Sequence, residues 1–125
     1  MFEYTYGEKL SSERLLYYKN MVIKKFAREY DIKTNRLWNC LRSKPICLEF
    51  EEARKLDIPN SNNLVFYLER QNEVYNTTFE EICKYVNELE PWEDIDAYIF
   101  DETFQWIFAI THEDLKCVIL GLVKK

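Results

Sequence analysis

The chain's single histidine, His112, stands between Thr111 and the acids Glu113 and Asp114. An imidazole beside a carboxylate can be oriented and charged for general acid–base work. The same four residues also suit a hairpin turn, where short polar side chains satisfy local backbone groups. No second catalytic group can be named with them, so the turn is read first as a turn. His112, Glu113 and Asp114 stay as a candidate functional turn. One imidazole rules out an HExxH zinc site, and no GxSxG elbow exists to present a serine nucleophile. Only two glycines, Gly7 and Gly121, are present, at opposite ends of the chain. That excludes a glycine-rich phosphate loop and a dinucleotide fingerprint. The four cysteines (Cys40, Cys47, Cys83, Cys117) form no CxxC pair, the strong spacing for zinc or redox chemistry. Cys83 and Cys117 fall in apolar periodic segments, where a thiol behaves as a small hydrophobe. The residues therefore predict no metal, no cofactor and no enzyme. The alternative class is a small enzyme or ligand-binding domain using the Thr-His-Glu turn.

Charge is the more informative signal. The net charge is −5, but residues 1–44 carry ten Lys/Arg against five acids, whereas residues 71–125 carry twelve acids against four bases. From Tyr85 to Leu115 there is no Lys or Arg and there are nine acids. Aromatic residues alternate with these acids: Trp92, Tyr98, Phe100, Phe104 and Trp106. A solvated acidic surface that maintains solubility is the plain reading. The sharper one is a docking surface, because an acidic patch accelerates association with a cationic partner and an exposed aromatic anchors it. The predicted contacts are Trp92, Glu93, Asp94, Asp96, Asp101 and Glu102. Nucleic-acid binding by the basic N-terminal helix ranks below this, since the excess of positive charge is small and no nucleic-acid motif accompanies it.

The elements that must position these residues follow from periodicity. Leu15, Tyr18, Val22, Phe26 and Tyr30 recur at helical spacing behind Ser11 and Ser12, predicting a helix over 11–30. A second helix is expected after Thr34-Asn35, ending before Pro45, and a third over 49–56. From Leu64 the period changes to that of a strand (64–70), with a short partner strand at Val74-Tyr75. Thr78 followed by Glu81 is a capping box for a helix over 79–89, which Pro91 stops. The remainder reads as a β-meander, with strands over 95–100, 104–111 and 116–123. Phe104, Trp106, Phe108 and Ile110 are placed on one face of its middle strand. Both faces of that strand are largely apolar, so it is expected to be central and covered on both sides. The fold class is α+β: N-terminal helices packed on a mostly antiparallel sheet of four to five strands.

Trp38, Cys47-Leu48-Glu49 through Arg54, Asp96-x-Tyr98, Phe104-x-Trp106 and Thr111-His112-Glu113 together resemble a small bacterial domain family of unknown function. The resemblance covers residues 35–120. The chain departs from that family's Gly-Pro-aromatic continuation at Leu115-Lys116-Cys117. The resemblance implies a fold and carries no activity with it. At 125 residues the chain suits one domain, 1–125, long enough to bury a core. No apolar run reaches the ~18 residues of a membrane span. The N-terminus lacks the pattern of a secretory signal, so a cytoplasmic location and no membrane partner are expected. Small size, an acidic C-terminal half and absent catalytic motifs point to a non-enzymatic binder of the immunity or antitoxin type. Its expected partner is a basic protein such as a nuclease toxin.

Overall fold

The segments LVFYL, AYIF and IFAI contain no charged residue, so strands built from them must be covered on both faces. A computed structural model describes residues 7–26, 46–89, 95–111 and 116–121 and shows that arrangement. The elements run β1 (Glu8–Lys9), α1 (Ser12–Phe26), β2 (Ile46–Glu49), α2 (Phe50–Ala53), β3 (Leu64–Leu68), β4 (Glu73–Thr77), α3 (Phe79–Asn87), β5 (Ala97–Phe100), β6 (Ile107–Ile110) and β7 (Lys116–Leu120). The strands form one sheet in the order β1-β4-β3-β5-β6-β7-β2. Every ladder is antiparallel. All residues of β3, β5 and β6 are buried.

The fold is α+β, with a β-meander over β5, β6 and β7 as expected. Among the described residues the sheet has seven strands rather than four or five. The two additional strands are the edges. β1 is a polar pair with no alternation to reveal it, and it adds to β4 opposite Asn76 and Tyr75. β2 lies in a stretch for which periodicity gave no element, save Glu49, the first residue of the helix expected over 49–56. Ile46 to Glu49 pair with Ile119 to Lys116, and the helix runs over Phe50–Ala53. A long-range ladder outweighs local propensity here. Of the expected N-terminal helices, α1 packs on the sheet, while the one expected after Thr34 lies outside the described residues.

Two apolar layers flank the sheet. Tyr18, Val22 and Phe26 of α1 pack on the face formed by Val65, Tyr98 and Ile107. Phe50 and Ala53 of α2 and Ile82, Tyr85 and Val86 of α3 pack on the opposite face, against Phe66 and Phe108. Burying a side chain of this size contributes about 1.5–3 kcal/mol. α3 starts where the sequence places it, because the Thr78 hydroxyl accepts a hydrogen bond from the Glu81 backbone N–H at 3.1 Å. Among the described residues no helix is long and apolar enough to cross a membrane.

Phe104 departs from simple alternation. Its φ of +53° places a bulky residue in the left-handed region, a genuine conformational outlier. The consequence is a change of face. Phe104 packs with Tyr18 and Phe100 on the α1 side, while Trp106 and Phe108 lie on the α3 side. The expectation of one shared face for Phe104, Trp106 and Phe108 is corrected by that backbone kink. Gly121, with φ +82°, follows β7 at a point where an added Cβ would lie 2.2 Å from the Gln105 carbonyl oxygen. No other residue fits there without displacing backbone.

Candidate partner-binding surface

The turn after β5 divides its two acids between interior and solvent. Asp101 is buried and accepts hydrogen bonds from Asn60 Nδ2 and Trp106 Nε1, each at 3.0 Å. Its other oxygen accepts from the Thr103 backbone N–H at 2.9 Å and from the Thr103 hydroxyl. Burial pushes the Asp101 carboxyl up. The hydrogen bonds from Thr103, Asn60 and Trp106 outweigh it and hold the group below its ordinary 3.8. Asp96, with a fully buried side chain, pairs with Arg70 Nε at 2.7 Å, and its backbone carbonyl accepts from Glu69 N–H. Both acids were expected on a contact rim. Their carboxylates are directed to internal partners, so the exposed set narrows. Trp92, Glu93 and Asp94 lie outside the described residues.

Glu102 is the predicted contact residue that the structure describes and leaves at the surface, with a side chain 68% exposed. It is exposed yet held. One carboxylate oxygen accepts from the Tyr18 hydroxyl at 2.6 Å and from Arg14 Nη2 at 3.1 Å. Arg14 also donates to the Tyr18 hydroxyl. Its guanidinium carbon lies 4.7 Å from the Tyr18 ring centre and 5.4 Å from that of Tyr17. Burial, then the bond to and charge of Glu102, push the Tyr18 phenol up against the smaller opposing effect of Arg14. The phenol therefore stays protonated and remains a donor to the carboxylate. Beside this cluster α1 presents Tyr17, 47% exposed, whereas Leu16, 60% exposed, lies two residues from Arg14 and Tyr18 and so on another side of the helix.

These α1 residues were not among the predicted contacts. Ser11 fixes where they fall: its hydroxyl accepts from Arg14 N–H at 3.3 Å and its carbonyl from Leu15 N–H at 3.0 Å. That start puts Arg14 one turn ahead of Tyr17 and Tyr18, within stacking reach of both rings. The spacing was visible in the sequence. The partner of the cluster, Glu102, lies 88 residues downstream of Arg14, and nothing local announces it.

The alternative site is described only at its border. Thr111 is buried, and its backbone N–H bonds the Lys116 carbonyl at 2.9 Å, closing β6 onto β7. His112, Glu113 and Asp114 lie outside the described residues. A cleft of about 480 Å³ runs along α3 past Cys83, between Arg54 and Lys84. Both cations already face acids: Arg54 meets Glu51 at 3.5 Å, and Lys84 meets Glu81 at 3.4 Å. Burial raises the Cys83 thiol, and burial raises Cys117 up to about 12, so both are protonated at neutral pH. Among the described residues no group of three or more His, Cys, Asp and Glu could hold a metal ion. No family model, curated protein or solved structure matches the chain, and its own residues carry the functional reading.

Proposed function

We propose that this chain is a non-enzymatic protein-binding module of the immunity or antitoxin type, which neutralises a basic partner such as a nuclease toxin. One observation carries the reading: Glu102 is an exposed carboxylate held by the Tyr18 hydroxyl beside the exposed ring of Tyr17. A carboxylate already held in one geometry loses less freedom on binding than a mobile one. Tyr and Arg side chains are enriched in binding hot spots. The net charge of −5 draws in a cationic surface over longer range. A nuclease active site is cationic because it holds phosphates, and an anchored acid beside an aromatic ring can occupy such a site.

The test is affinity capture on the immobilised chain at low and at high salt, followed by mass spectrometry and a nuclease assay of the eluate. The expected result is one stoichiometric protein of high isoelectric point, displaced by salt, whose nuclease activity returns once it is separated from the chain. Retention of no basic protein at low salt contradicts the proposal.

A further inference from the structure

The corner formed by Tyr17, Tyr18 and Glu102 has the composition of an arginine receptor, and in the free chain a guanidinium already fills it. Arg14 lies over both tyrosine rings at 5.4 and 4.7 Å and donates to the Glu102 carboxylate at 3.1 Å. We propose that this corner binds an arginine side chain of the partner and that Arg14 is an internal stand-in displaced on binding. The inference rests on the protein-binding reading above and names the chemistry that the surface recognises.

Three features separate the receptor from its present occupant. First, the receptor is fixed without Arg14. Tyr18 is buried against Phe100 and Phe104, with ring centres at 5.8 and 6.2 Å, and donates to Glu102 at 2.6 Å. Glu102 follows Asp101, which internal hydrogen bonds from Asn60 and Trp106 hold in place. Second, the occupant is replaceable. Arg14 is 47% exposed, its ion pair with Glu102 is screened, and its hold on the corner comes from stacking and hydrogen bonding that an incoming guanidinium can make in its stead. Its long side chain can swing into solvent with no change in α1. Third, the receptor suits a planar cation. Two ring faces and a carboxylate match a guanidinium, which stacks and donates together, better than a compact, strongly hydrated ammonium. The exposed edge of Tyr17 adds apolar contact for the residues flanking the incoming arginine.

Arg14 is therefore a competitor, and its removal strengthens binding. Nona-arginine and nona-lysine peptides are titrated by calorimetry into the wild-type chain, Arg14→Ala, Lys24→Ala and the double variant Arg14→Ala/Glu102→Gln. Lys24→Ala removes the same charge from an exposed position of the same helix and leaves the receptor filled. The expected result is about tenfold tighter binding of the arginine peptide by Arg14→Ala, from one vacated stacking and charged hydrogen-bonding position. The lysine peptide gains less than about threefold, because its ammonium stacks poorly. Lys24→Ala matches the wild type, and the double variant loses the gain. Equal gains for both peptides, an equal gain in Lys24→Ala, a gain that survives Glu102→Gln, or no gain at all each overturns the proposal. Circular dichroism of every variant verifies the fold. The peptides replace the natural partner, so failure here leaves the capture experiment standing, and failure of capture leaves the peptide selectivity readable.

Discussion

Two carboxylates one residue apart in the turn after β5 meet opposite surroundings. Asp101 points inward and collects donors from three residues of different segments, Asn60, Thr103 and Trp106. Glu102 points outward, and its holders, Tyr18 and Arg14, come from α1 alone. The inner acid ties the 59–63 loop, the turn and the residue that leads into β6 to one another. The outer acid ties the turn to α1 and leaves most of its own surface to solvent. Composition counts the two alike, as negative charge in an acidic stretch. Geometry makes one a structural joint and the other a surface that can meet a partner. Asp96, at the opposite end of β5, repeats the inner pattern through Arg70.

If this division is right, substitutions on the inner side cost stability and those on the outer side cost association. The largest effect belongs to Asp101→Ala. It leaves the buried Trp106 N–H and the Asn60 amide without their acceptor and lowers stability by about 3 kcal/mol, read by urea denaturation. A loss within experimental error removes the contrast with Glu102. Next is Arg70→Ala, which takes the guanidinium from a carboxylate with no solvent exposure and costs about 2 kcal/mol in the same experiment.

Acid stability sharpens the comparison further. A carboxyl held low by folding contributes stability above its unfolded value and loses that contribution as pH falls through its folded one. For Asp101 the loss begins as pH drops past 3.8 and continues below it. The wild type therefore loses stability on acidification below that pH more steeply than Asp101→Asn, which has no proton to gain. Parallel acid-denaturation curves contradict this role for Asp101. The smallest stability change is that of Glu102→Lys, about 1 kcal/mol by thermal melting, because it takes the acceptor from the Tyr18 hydroxyl while the exposed ion pair with Arg14 contributes little.

The same contrast explains what could be read from the sequence. α3 was legible because Thr78 caps it and Ile82, Tyr85 and Val86 mark one face. The meander was legible because its strands are apolar on both sides and its turns polar. Edge strands were not, since two polar residues at Glu8–Lys9 show no alternation and Ile46–Glu49 owe their extension to β7. The positive φ at Phe104 moved one aromatic to the α1 side, where it meets Tyr17 and Tyr18 at ring-centre distances of 6.3 and 6.2 Å. Alternation cannot foresee such a kink. Acid content directed attention to the turn after β5, but which of its carboxylates faces solvent depends on Asn60, Trp106 and α1, all set by tertiary packing.

The direct test of Glu102 as a docking residue is the association rate of the captured basic partner with the wild type and with Glu102→Lys, from about 50 to 300 mM salt. Charge steering predicts a wild-type rate that falls steeply with salt, and a slower, flatter one for the variant. Coincident curves for the two proteins contradict it.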